Sequence, residues 1–123
     1  MSLRVVICED SRGYAALVSG WIAGEPDLEL AGVAYTAPEA IELVSQTQPD
    51  VVVIDRLSAG NDTEGLVKEI RRVCPDVRIA LLSGMPPEVL RERAQALRAD
   101  SYCMKDATPD GPLRAIRSAA GVG

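Results

Sequence analysis

The chain has 123 residues, 47% of them hydrophobic, with a formal net charge of −5 and a pI near 4.7. That size suits one domain, residues 1–123, with a core held between two helical layers. Its acidity argues against direct nucleic-acid binding, which is built from clustered Lys and Arg. Three widely spaced cysteines and no histidine argue against a disulfide framework and against zinc or copper. No apolar stretch has the length of a membrane span and no signal segment opens the chain, so a reducing cytoplasm is expected.

Leu3 to Cys8 reads as an apolar strand broken by Arg4, and Ser11 to Gly24 follows with Tyr14, Leu17, Val18, Trp21 and Ile22 at helical spacing. After the Gly24-Glu25-Pro26-Asp27 turn, Leu28 to Ala34 reads as a second strand, its Glu29 suggesting a sheet edge. Thr36-Ala37-Pro38-Glu39 has the form of a capping box, with a hydroxyl at the cap and a carboxylate three residues on. The helix it opens should stop before Pro49. Val51 to Ile54 is the most purely apolar run, rich in β-branched residues, and is expected at the sheet centre with Asp55 at its exit.

A loop containing Gly60 and Gly65 leads to a helix bearing Leu66, Val67, Ile70 and Val73, ended by Pro75-Asp76. Val77 to Leu82 reads as strand four, and Pro86-Pro87 opens a helix with Val89, Leu90, Ala94 and Leu97. Tyr102 to Met104 is a short fifth strand, and Thr108-Pro109-Asp110 is expected to cap a last helix carrying Leu113 and Ile116. Strict alternation of strand and helix calls for an α/β fold: a flavodoxin-like, doubly wound, five-stranded parallel sheet with five helices and right-handed crossovers. The usual strand order for such a sheet, 2-1-3-4-5, is adopted here, and it sets the ends of strands one and three on either side of the ligand crevice.

Four of the apolar runs finish on chemically capable side chains: Glu9-Asp10, Asp55, Ser83 and Lys105. Each has an ordinary explanation when taken singly. Asp10 or Ser11 could cap the first helix, Asp55 could be a turn residue, Ser83 a capping hydroxyl and Lys105 a solvated loop charge. Caps and turns do not explain why acids follow strands one and three while a cation follows strand five. Two carboxylates at ~4 Å repel by ~4 kcal/mol at an effective dielectric of ~20, so three acids at one rim need a cation to stay ionised. Mg²⁺ suits oxygen ligands of this kind, and an ionised Asp55 could attack an in-line phosphorus to form an aspartyl phosphate.

Over essentially its whole length the chain resembles the receiver domain of two-component response regulators, and its segment Ala99-Asp100-Ser101-Tyr102-Cys103-Met104-Lys105-Asp106 is most like receivers of the NarL/FixJ (LuxR-type) group. The resemblance implies a phosphorylation-dependent signalling switch. Asp55 matches the phosphoacceptor, Lys105 the salt-bridging lysine, Ser83 the switch hydroxyl and Tyr102 the switch aromatic. Asp10, Asp55 and the backbone carbonyl of Leu57 match the Mg²⁺ ligands, with Glu9 acting through water. A sensor histidine kinase is the implied donor. The implied output face is helix four, strand five and helix five, with Val89, Arg93 and Tyr102 near it, serving homodimerisation or a C-terminal DNA-binding domain absent from this chain. The only chemistry implied is the chain's own phosphorylation and slow dephosphorylation, because Leu57 and Met85, which flank the phosphate in the family, are apolar and cannot orient a water.

The loop after Asp55, from Arg56 to Gly65, is longer than the family's and lacks its Met-Pro pair. That departure motivates an alternative, a receiver-like interaction module that works without phosphorylation. Other rivals fare worse. Glu9-Asp10 would repel a flavin phosphate. Leu57 stands where a haloacid-dehalogenase-type phosphatase needs a second acid, and Leu66-Val67 replaces the lysine and hydroxyl of a phosphate-binding loop.

Overall fold

The computed structural model describes residues 2–55, 62–105 and 108–122. The elements run β1 (Leu3–Glu9), α1 (Arg12–Ala23), β2 (Leu28–Ala34), α2 (Ala37–Thr47), β3 (Val51–Asp55), α3 (Thr63–Val73), β4 (Arg78–Ser83), α4 (Pro87–Leu97), β5 (Ser101–Met104) and α5 (Asp110–Ala119). All strand pairs are parallel and the order is β2-β1-β3-β4-β5, as expected. Two differences at strand ends matter for function: β1 extends through Glu9 and β3 through Asp55, so both acids belong to the ladder rather than to the loops beyond it.

Alternation along the strands divides the core in two. Val6, Cys8, Val52, Ile54, Ile79 and Leu81 face the side covered by α2, α3 and α4, where Val44, Leu66, Ile70 and Leu90 meet them. Val5, Ile7, Val51, Val53, Ala80 and Leu82 face the side covered by α1 and α5, against Val18, Ile22, Leu113 and Ile116. The uninterrupted apolar runs of the central strands reflect burial on both faces, and all of Val51 to Ile54 is at most 1% exposed. Glu29 lies on the edge strand β2, paired with Arg4 of β1 at 3.2 Å.

Helix starts follow local chemistry. Ser11, rather than Asp10, caps α1, its hydroxyl accepting from Tyr14 N. The Thr36–Glu39 box forms with one change: Thr36 Oγ1 accepts from Glu39 N, but the Glu39 carboxylate reaches back to Tyr35 N rather than to the cap residue's own amide. Asp62 caps α3 by accepting from Gly65 N at 2.9 Å. α5 starts at Asp110, directly after Pro109, whose backbone is already helical, within the expected Thr108-Pro109-Asp110 segment.

The rim at which the strands begin is closely tied. Asp50 and Asp100 each precede a strand by one residue, and each carboxylate accepts from the amide of the second residue of the neighbouring strand, Arg4 N and Ile79 N, both at 2.8 Å. Their own amides return bonds to Arg4 O and Ile79 O at 2.9 and 2.8 Å. Arg117 of α5 reaches Asp27 and Glu25 in the turn before β2 at 2.7 to 2.9 Å. Asp100→Ala leaves the Ile79 amide without its partner in a half-buried setting, so unfolding in urea should show a loss of about 1–2 kcal/mol with an unchanged denaturant slope.

Candidate functional site

Glu9 and Asp55 are register partners across β1 and β3, at the carboxyl ends of adjacent strands. Residues 5, 7 and 9 of β1 and 51, 53 and 55 of β3 share parity, so both acids project to the α1/α5 side of the sheet. Glu9 is 1% exposed and Asp55 9%. Lys105 follows β5 with the parity of Cys103, which packs on that same side. Its amide continues the ladder by donating to Ser83 O at 2.7 Å, which fixes where its side chain begins. The ammonium then lies 2.5 Å from Asp55 Oδ2 and 3.4 Å from Glu9 Oε2.

Neither of those two buried carboxylate oxygens has a hydrogen bond of good geometry. The Lys105 ion pairs are what they have, together with the bond from Ser11 N to the other Glu9 oxygen at 2.9 Å. Burial pushes the Glu9 carboxyl up to about 8, helped by the adjacent Asp55 carboxylate and opposed by Ser11 N–H and Lys105. Burial by itself would lower the Lys105 ammonium, but Asp55 and Glu9 more than offset it, and its pKa is raised. At neutral pH Glu9 therefore keeps its proton and Lys105 its positive charge.

The remaining expected residues are placed differently. Asp10 is exposed beyond the end of β1, and among the described residues no three His, Cys, Asp or Glu side chains stand together as a cage for a metal. What converges is a carboxylate pair with an ammonium rather than three acids, because strand parity directs Glu9 and Asp55 inward together and Asp10 lies past the last strand residue. Ser83 is 3% exposed at the end of β4, its hydroxyl accepting from Met85 N at 3.1 Å. It has the parity of Ile79 and Leu81 and so starts from the opposite side of the sheet. Tyr102 is 45% exposed on β5. Leu57 lies outside the described residues.

One neighbour was not singled out by residue type. The Tyr14 ring lies 4.4 Å from Lys105 Nζ, centroid to nitrogen, and meets Trp21 edge-on at 6.2 Å. Its signal in the sequence is its place in the first turn of the helix that follows Glu9-Asp10; at helical spacing it reads only as core.

The raised Glu9 group predicts a pH dependence of stability in divalent-free solution. Folded Glu9 keeps its proton to about pH 8, whereas the unfolded side chain loses it near 4.5, so unfolding releases a proton between those values. Stability should fall with rising pH across that window, by on the order of 1 kcal/mol per pH unit, and level off above it. Urea titrations from pH 5.5 to about 8.5 should show this decline in the parent chain and its loss in Glu9→Gln.

The family model of the response regulator receiver domain matches residues 5–117. A protein-glutamate methylesterase/protein-glutamine glutaminase from Photobacterium profundum is 34% identical over 99 residues, which are 80% of this chain and 25% of that protein, so the chain spans about a quarter of that curated relative. Among solved structures, a two-component response regulator of the LuxR family from Aurantimonas sp. SI85-9A1 superposes with TM-score 0.85 at 24% identity, over 99% of this chain and 88% of that one. The signal receiver domain of NarL from Mycobacterium tuberculosis gives TM-score 0.83 at 23% identity over 98% and 97%. These likenesses bear out the expected fold, and no helix among the described residues is long and apolar enough to cross a membrane. With a family match spanning both acids and the lysine that pairs them, the chain belongs to the receiver domains of two-component response regulators.

Proposed function

We propose that this chain takes a phosphoryl group from a phosphohistidine of a sensor kinase onto Asp55, and that the aspartyl phosphate switches its surface. The observation that carries this reading is the Asp55 carboxylate at the crevice end of β3, buried beside Glu9 and paired with Lys105 at 2.5 Å. A carboxylate oxygen of Asp55 attacks phosphorus, the bond from phosphorus to the imidazole nitrogen breaks, and its electron pair leaves with the histidine. Lys105, released from the bare carboxylates, neutralises the oxygens of the transferred group. The Ser83 hydroxyl is available to bond the same group once it lets go of Met85 N.

The donor set fits a hard divalent cation. Two buried carboxylate oxygens have no partner besides the Lys105 ammonium, and an exposed Asp10 follows Glu9 in sequence. Asp10, Asp55 and the Leu57 carbonyl would hold Mg²⁺, with Glu9 acting through water. When bound, the ion supplies positive charge to the non-bridging phosphoryl oxygens. Asp55 and Asp10 offer the carboxylates that attract it, and Glu9 adds its charge on losing its proton.

In this reading the loops after β4 and β5 carry the signal to α4, β5 and α5, where Tyr102, Met104 and Val89 are exposed apolar groups. That face would pair two copies or meet a C-terminal DNA-binding output domain of the kind found in LuxR-type regulators. Three cysteines, none of them in a disulfide, suit a reducing cytoplasm.

Incubation with acetyl phosphate and Mg²⁺ should add one phosphoryl group by intact mass, and Asp55→Asn should abolish it. Lys105→Ala should slow the reaction by about 10-fold or more, the scale of one charge-assisted contact. Absence of any mass shift in the parent chain would overturn the switch and leave a phosphorylation-independent module. The phosphorylated chain, freed of donor, should lose its label slowly, since the apolar Met85 and Leu57 offer no group to position a water. Label loss followed by mass over time checks this, and decay as fast as that of rapid chemotaxis-type receivers would contradict it.

A further inference from the structure

The Lys105 side chain has a long path from its ladder-anchored amide to the acids, and an ammonium on four methylenes is held in place only by what surrounds it. On one side are Asp55 and Glu9. On another is the face of Tyr14, 4.4 Å from Nζ. Tyr14 is itself fixed. Its amide is bonded by the α1 cap Ser11, whose own amide bonds Glu9, and its ring is braced edge-on by Trp21 one helical face along, at an interplanar angle of 89°. Trp21, Tyr14, Lys105 and Asp55 thus form a continuous packed series from the body of α1 to the reacting carboxylate.

We propose that Tyr14 is a positioning residue for phosphoryl transfer: its ring face holds the Lys105 ammonium over Asp55 through a cation–π contact. This rests on the Asp55 reading above. The ring matters most when Asp55 is consumed. As the carboxylate becomes an acyl phosphate it loses its full charge, and the ammonium must shift from a carboxylate oxygen to the phosphoryl oxygens. The other polar partner left to it is Glu9 Oε2, 3.4 Å away and more deeply buried than Asp55. The aromatic face is an uncharged, directional partner that does not compete for the ammonium hydrogens used by phosphate, so it keeps Nζ at the rim during that exchange. Arg12, two residues earlier on α1, lies 4.0 Å from the Tyr35 ring centroid, so it is already engaged and does not offer a second cation to Tyr14's place.

The hydroxyl is not required by this argument, so Tyr14→Phe should behave like the parent, whereas Tyr14→Leu and Tyr14→Met keep bulk but lose the ring. With acetyl phosphate and Mg²⁺, the two aliphatic variants should phosphorylate about three- to tenfold more slowly at saturating donor, with little change in the donor concentration for half-maximal rate. In divalent-free protein, the ε-methylene protons of Lys105, followed by NMR, should be shifted upfield by the ring in the parent and in Tyr14→Phe, and return to ordinary lysine positions in Tyr14→Leu. An unshifted lysine in the parent, or parent-like rates in a folded Tyr14→Leu or Tyr14→Met, would overturn the proposal. A parent chain that takes up no phosphoryl group would instead strike the Asp55 reading, while the NMR comparison would still decide whether the ring holds the lysine.

Discussion

A single ammonium makes this site possible. Glu9 and Asp55 face the same side of adjacent strands in direct register, almost without water around them, and two such carboxylates repel strongly where solvent is excluded. Lys105 reaches both. Its charge lies against Asp55, and the proton retained by Glu9 relieves the repulsion between the two acids. One oxygen on each acid is buried with the Lys105 ammonium beside it and no other hydrogen-bond partner. Groups left in that condition cost stability.

Strand parity decides which of the candidate residues meet. The sheet's alternation sends residues 9 and 55 to one face and starts Ser83 from the other, while the bond from Lys105 N to Ser83 O aligns the end of β5 with that of β4. Ser83 and Lys105 therefore approach the crevice from different sides, with Asp55 beside them at the end of the adjoining strand. A phosphoryl group on Asp55 would add acceptor oxygens within the region both sides border, which is how a local modification can pull on two loops together.

Much of this was legible in the sequence. The β-branched run at Val51, the Thr36 box and the regular alternation of apolar segments pointed to the sheet and its covering helices, since each rests on local chemistry that tertiary contacts did not override. Asp55 and Lys105 were legible because charged groups directly after apolar strands are seldom there for the core. Asp10 was harder. Residue type alone puts it with Glu9, yet a one-residue step past the strand end leaves Glu9 buried and Asp10 exposed. Strand register, which sets that step, depends on pairing between segments far apart in the chain. Tyr14 was read as a core residue for a related reason: its spacing shows that it faces inward, but not that the inward direction in the first turn of α1 meets an ammonium rather than aliphatic side chains.

The two rims of the sheet differ in how their acids are used, and the difference explains how the fold tolerates such a site. At the rim where the strands start, Asp50 and Asp100 each exchange bonds with a neighbouring strand, Arg117 spans to Asp27 and Glu25, and Arg71 of α3 donates to Leu97 O and Arg98 O at the end of α4. Acids there bind backbone amides and arginine. At the opposite rim the acids face one another and a lysine, so their stabilising bonds are fewer, and burial raises the Glu9 pKa. A sheet pinned at its base can carry an unsatisfied rim without losing register. A change made at that rim is then taken up by its loops and not by the strands beneath them, because the strands are held by two apolar cores and by the bonds at their starts.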